Sequence, residues 1–421
     1  MIVSTYRQNG MLVTDHLVPV PLDHARPDGP RIEVFAREVV AAEKADAGLP
    51  ALLFLQGGPG GKGPRPGFRD GWIGRAIGDY RVILLDQRGT GRSTPTTARS
   101  LARLGGPAAQ AEYLGLLRAD AIVRDAEILR REINDGAPWD TLGQSYGGFI
   151  TLTYLSLAPE AIRRAFVTGG LPSITRPIED VYRITFDRMV EKSTAFFDRY
   201  ASDRALASRI AEHLATHEVR LPTGERLSPR RFQTVGMKLG MKGDFDSLHY
   251  LLDEAFAGGE LSDAFLAGVN AIVSVWDSPL YAVLQEPIFS QGRASNWAAE
   301  REYASRPAFA VDAPEFLFTG EAYFPFHYDE DPALVPLRDA ARLLAERADW
   351  PALWDVDRLS RNEVPVYAAV YNDDLYVPRE LSLETAARVP GIKVWITNEY
   401  EHDGLRTADV LDRLLIMARD A

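Results

Sequence analysis

Hydrophobic residues change their spacing along this chain in a way that divides it into regions. MLVTDHLVPVPLD (residues 11–23) and RIEVFAREVV (31–40) are rich in β-branched residues, and the turn-forming HARPDGP separates them. That pattern predicts an antiparallel hairpin. ALLFLQGGPG (51–60) and YRVILLDQRGTGRS (80–93) are unbroken apolar runs that end in glycine-rich loops. Short apolar runs without alternation predict strands buried on both faces, hence a parallel sheet with helices on either side. Residues 110–134 have helical periodicity, WDTL (139–142) reads as a short strand, GGFITLTYLSLAP (147–159) as a helix ending near Pro159, and IRRAFVTGG (162–170) as another strand.

The pattern shifts after Pro172. From there to about Trp354 the chain is mostly helical in period, with charged and aromatic faces and no clear strand. Strand signals return in VPVYAAVYNDD (364–374) and IKVWITNEYEHDG (392–404), with a helix between them at LSLETAARVP (381–390) and a closing helix at RTADVLDRLLIMARD (406–420). The simplest organisation is an α/β core in two parts, residues 1–172 and 356–421, interrupted by a large helical insertion over 173–355. The core is expected to be a mostly parallel sheet flanked by helices, with the antiparallel hairpin at its N-terminal side.

Length and composition fit this picture. With 421 residues, 46% apolar and 25% charged, the chain is long enough for a large core plus an insertion. Lys and Arg total 47 against 59 Asp and Glu, a net charge of −12. An acidic chain is a poor partner for nucleic acid or an anionic membrane. There is no cysteine, which excludes disulfides, thiolate metal sites and a cysteine nucleophile. The N-terminal MIVSTYRQNGMLVTDH contains no apolar leader core, and no run approaches the roughly 18 apolar residues of a membrane span. The expected location is the cytoplasm.

One pentapeptide carries the chemistry. Gly143-Gln144-Ser145-Tyr146-Gly147 fits G-x-S-x-G, placed between a strand and a helix. Glycines there permit a tight turn that holds the serine hydroxyl out from the backbone. Such a hydroxyl needs a base. Of the seven histidines, His16 and His24 lie in the hairpin, and His213, His217, His249 and His327 in the insertion. Only His402 follows a late core strand, where a doubly wound sheet presents its reactive groups. The imidazole in turn needs a carboxylate, and the loop after the preceding strand offers Asp373 and Asp374, of which Asp374 is the choice. The order Ser145, Asp374, His402 is that of α/β-hydrolases. An acyl-transfer oxyanion requires backbone N–H donors: Tyr146, next after the serine, and Gly58, in the earlier QGGPG loop. That loop matches no nucleotide-binding pattern. Asp86 and Arg88 in DQRGTGRS read as a structural pair holding their loop.

LLFLQGGPGG, VILLDQRGTGRSTP, GQSYGGF, DLYVP and EYEHDG, in this order and spacing, resemble the proline iminopeptidase (prolyl aminopeptidase) family of serine hydrolases. HYLLDEAF and FTGEAYFP extend the likeness into the insertion. Gln56 departs from the family's frequent histidine. The resemblance implies an α/β-hydrolase with a helical cap. It further implies release of an N-terminal residue, preferentially proline, from small peptides with a free N-terminus, without metal or cofactor. Its D-x-x-x-P pattern, read back from Pro378, also points to Asp374. It suggests cap glutamates that hold the substrate amine, for which Glu286 and Glu321 are the candidates. The rival readings are a broader aminopeptidase or carboxylesterase on the same triad, and a non-catalytic binding protein on a hydrolase scaffold. A homo-oligomer stays open.

Overall fold

The computed structural model describes residues 1–420. It divides into two compact units. The first comprises Met1–Leu104, Glu112–Thr175 and the chain from Pro351 onward. The second comprises Gly105–Ala111 and Arg176–Trp350.

The first unit is built on a nine-stranded sheet. Its strands are β1 (Ile2–Gln8), β2 (Met11–Pro21), β3 (Arg31–Ala41), β4 (Ala51–Leu55), β5 (Arg81–Leu85), β6 (Trp139–Gln144) and β7 (Ile162–Thr168). Two further strands belong to the second unit, β8 (Phe256–Ala257) and β9 (Glu260–Leu261), and the sheet is completed by β10 (Val366–Tyr371) and β11 (Ile392–Thr397). The spatial order is β1-β2-β3-β5-β4-β6-β7-β10-β11. The first three strands run antiparallel to their neighbours. The six from β5 to β11 are parallel, which sets the ends of β4, β6, β7, β10 and β11 along one edge. Every residue of β4 and β10 is buried, as the continuous apolar runs require. On one face Phe54, Leu142, Phe166 and Tyr367 pack with Trp72 and Ile73, and with Val410, Leu411 and Leu414 of the helix Ala408–Arg419.

Two elements differ from the sequence reading. β1 is a seven-residue edge strand whose residues are nearly all exposed, so no alternation marks it. Residues 110–134 form two helices, Pro107–Gly115 and Ala119–Ile133. At the interruption the Leu116 carbonyl accepts a hydrogen bond from the buried Arg88 guanidinium at 2.9 Å.

The second unit is helical. Its longest helix, Ile178–Arg199, buries Phe186, Phe196 and Phe197. Phe196 and Phe197 join Phe318 in an aromatic cluster that Phe232, Phe265 and Phe316 extend, with ring centroids 5.1–6.0 Å apart. Clear strands are absent from the sequence pattern here, but β8 and β9 pair as a two-residue antiparallel ribbon.

Candidate active site

The glycines around Ser145 are there because larger residues do not fit. A Cβ at Gly143 would lie 2.4 Å from the Gly147 carbonyl oxygen. One at Gly147 would lie 1.9 Å from that of Leu55, and one at Gly148 2.1 Å from that of Gly170. Strand end, helix start and two neighbouring strand ends thus meet at contact distances only hydrogen can fill. The turn they permit puts Ser145 at φ 55° and ψ −122°, a conformation that costs about 1–3 kcal/mol for a residue with a side chain. The Ser145 N–H donates to the Thr168 carbonyl at 3.0 Å, and its carbonyl accepts from the Gly148 N–H at 2.7 Å. These bonds hold the strained residue between β7 and the helix Tyr146–Leu157.

His402 lies in the loop after β11, with Nε2 2.8 Å from Ser145 Oγ. On its other side Nδ1 lies 2.9 Å and 3.1 Å from the two oxygens of Asp374, in the loop after β10. The carboxylate is fully buried and His402 nearly so, at 6% exposure. Asp374 Oδ1 also accepts from the N–H groups of Tyr376 and Val377, at 2.9 Å and 3.0 Å. An ionised carboxylate can only accept, so it assigns the proton to Nδ1 and leaves the Nε2 lone pair facing the serine hydroxyl. Asp373, the adjacent acid, is turned away and accepts from the Asn372 amide at 2.7 Å.

Tyr146 opens its helix, where amides have no intrahelical acceptor and the helix dipole favours negative charge. Its ring is buried, edge-on to Phe149 at 5.9 Å. Gly58 has φ 65°, and its carbonyl closes the loop by accepting from the Gly61 N–H at 2.9 Å. The residue before it, Gly57, packs against the serine. A Cβ on Gly57 would lie 2.7 Å from Ser145 Cβ and 2.2 Å from Gln144 Oε1. Gly57 was not singled out in the sequence, though it stands in the same Gly-Gly-Pro-Gly run.

Two tyrosines that sequence reasoning missed complete the surroundings. The Tyr376 ring lies 4.7 Å from the imidazole of His402, tilted by 58°. Tyr371, at the end of β10, is wedged between loops. A Cβ on Gly169 would lie 3.0 Å from its ring, and one on Gly404 would lie 2.5 Å from its hydroxyl. Burial, followed by the charge of Asp374, drives the Tyr371 phenol far above the usual tyrosine range. Tyr376 stands inside DLYVP but the sequence gives it no role of its own, and Tyr371 belongs to no motif, so only the fold shows what either residue touches.

Asp86 and Arg88 are buried and structural in their contacts, but they serve two separate networks. Asp86 binds the Arg65 guanidinium and accepts from the N–H groups of Gly63 and Arg92 at 3.0 Å and 2.8 Å. Arg88 forms a bidentate pair with Asp125, both distances 2.6 Å, and also reaches the carbonyls of Pro21, Leu22 and Leu116.

Glu286 and Glu321 lie in the helical unit. Glu286 is 5% exposed, and its Oε1 accepts from the Ala299 N–H at 3.0 Å, at the start of the helix Ala298–Ala304. Its Oε2 has no hydrogen-bond partner. Burial raises its carboxyl above the ordinary glutamate range, although Ser295 and the amides of Ala298 and Ala299 pull the other way. A small pocket of about 20 Å³, room for about one water molecule, adjoins it, lined also by Ser295, Trp297, Tyr323 and Tyr328. Glu321 accepts a hydrogen bond from the Tyr281 hydroxyl and lines a second pocket, to which Tyr323 and His327 also contribute. Burial and then the charges of Glu286 and Glu321 push the Tyr182 phenol well above the usual tyrosine range, so both carboxylates act on one buried hydroxyl. Burial drives His327 well below its ordinary value, which keeps it neutral.

Among the described residues no helix is long and apolar enough to cross a membrane. Residues 50–407 match the family model of the alpha/beta hydrolase fold. The chain is 47% identical over 419 residues to a proline iminopeptidase of Aeromonas sobria, covering 99% of this chain and 98% of that one. It is 33% identical to the proline iminopeptidase aneH of Aspergillus aculeatus, over 95% and 92% of the two chains. A tripeptidyl aminopeptidase of Streptomyces lividans is 26% identical over 47% of this chain.

Proposed function

The chain belongs to the proline iminopeptidase family of α/β-hydrolases, and on that premise we propose that it is a serine aminopeptidase releasing N-terminal residues, preferentially proline, from small peptides. The observation that carries the reading is the hydrogen-bonded line from Asp374 through His402 to Ser145, with both contacts under 3 Å. In this reading His402 Nε2 takes the hydroxyl proton as Ser145 Oγ attacks the first peptide carbonyl. The carbonyl electrons move onto oxygen, and the N–H groups of Tyr146 and of the loop at Gly57 and Gly58 receive that charge. Collapse breaks the peptide C–N bond, and His402 Nε2 gives its proton to the leaving amine. Water, deprotonated by the same imidazole, then cleaves the aminoacyl ester and restores the serine.

An enzyme that trims N-termini must recognise an ammonium. We assign that task to Glu286 and Glu321, whose buried carboxylates gain most from a cationic partner. Tyrosines and Trp297 around Glu286 supply the apolar walls that a proline ring prefers.

The deciding experiment is a panel of aminoacyl arylamides and a simple acyl ester, run on the parental chain and on Ser145→Ala. The expected outcome is fastest turnover on the proline arylamide, reduced by about 10⁴-fold or more in the variant. Equal rates across all aminoacyl groups would make it a broader aminopeptidase. Ester cleavage without arylamide cleavage would make it a carboxylesterase. A folded Ser145→Ala protein with parental rates would remove the serine from the mechanism.

A further inference from the structure

We propose that Tyr376 is a positioning residue of the Asp374–His402 pair, holding the carboxylate with its backbone and keeping the imidazole in line and dry with its ring. Two independent contacts converge on this residue. Its N–H donates to Asp374 Oδ1 at 2.9 Å. Its ring lies 4.7 Å from the imidazole, at 58°. The residue is 8% exposed, so the ring is fixed by its surroundings rather than free in solvent.

The geometry gives the ring a definite task. The imidazole is held at its two nitrogens, by Asp374 and by Ser145. The Tyr376 ring packs on the flank of the imidazole and adds a contact against tilting of its plane that the hydrogen bonds at the two nitrogens do not supply. The same ring excludes water from the imidazole, and dehydration disfavours its charged form. Removing the ring therefore loosens the base and eases its protonation. The backbone N–H survives any substitution except proline, so side-chain variants isolate the role of the ring.

The proposal rests on the serine mechanism above, and its test reads the imidazole in two ways. One is the pH profile of kcat and KM on the proline arylamide. The other is the rate at which a fluorophosphonate labels Ser145, which requires the base but no amine recognition. Tyr376→Leu replaces the planar ring with a shorter side chain that no longer covers the imidazole, and Tyr376→Phe restores the ring. Tyr376→Leu is expected to lower kcat and the labelling rate by about tenfold or more, with KM within about twofold. Its acid limb should move to higher pH, and Tyr376→Phe should recover both rate and limb. Parental rates and pH profile in Tyr376→Leu would overturn the proposal. So would a change confined to KM, which would place the ring against substrate instead. If the parental chain labels but cleaves no arylamide, the aminopeptidase reading fails while the labelling rates still decide the role of Tyr376. If the parental chain does not label at all, both fall.

Discussion

Glu286 shows how one side chain can divide its work between its two oxygens. Oε1 is held by a helix N-terminus, and Oε2 has no partner although the residue is buried. Burial makes this carboxylate costly to ionise, and the amine role proposed for it would set a cationic partner against that cost. Glu286→Gln keeps an oxygen for Ala299 but loses the charge. KM for free-amine arylamides should rise by roughly tenfold or more, while an N-blocked ester is unaffected. Equal losses on both substrates would remove Glu286 from amine recognition. The raised carboxyl also fixes a sign for stability. The folded protein binds this proton more tightly than the unfolded chain does, so ionising the group opposes folding. Its stability cost is absent below the ordinary glutamate range and appears as pH rises through the raised folded value. Urea titrations at several pH values should therefore find Glu286→Gln no less stable than the parent at neutral pH. They should also find its stability less dependent on pH between the two ranges.

At the scale of elements, the glycine-lined junction of β4, β6 and β7 with the helix Tyr146–Leu157 tolerates almost nothing. Gly147→Ala places a methyl group 1.9 Å from the Leu55 carbonyl oxygen. That is backbone, which cannot swing aside, and urea unfolding should show a loss of about 2 kcal/mol or more. Gly404→Ala drives its methyl into the Tyr371 hydroxyl, two residues past His402. Its expected effect is a fall in kcat from a displaced histidine loop, measured on the proline arylamide. Much of this was legible in advance, because strands buried on both faces write unbroken apolar runs and each reactive loop follows one of them. Ser145, Asp374 and His402 could be picked out by where they stand. β1 could not, since a nearly fully exposed edge leaves no alternation to read. Nor could the break at Leu116, whose carbonyl is claimed by an arginine 28 residues earlier. Tyr371, Tyr376 and Gly57 had no role assigned, although Tyr376 stands in DLYVP and Gly57 in the glycine-rich run, because their importance lies in what the fold brings beside them.

For the whole molecule, the absence of cysteine and a proposed catalytic scheme drawn from the chain's own groups set a distinct inhibition profile. Activity should survive dialysis against a chelator and treatment with a thiol alkylating agent, and should be lost to a fluorophosphonate. Loss to the chelator would require a metal in the scheme above. The first unit is also assembled from separated stretches of chain, with Arg176–Trp350 of the second unit lying between Ser145 and its two partners in sequence. The serine therefore emerges from the ribosome more than two hundred residues ahead of Asp374 and His402. Until those arrive, the growing polypeptide carries an unarmed hydroxyl. The three groups of the proposed triad can therefore meet only when synthesis is nearly complete.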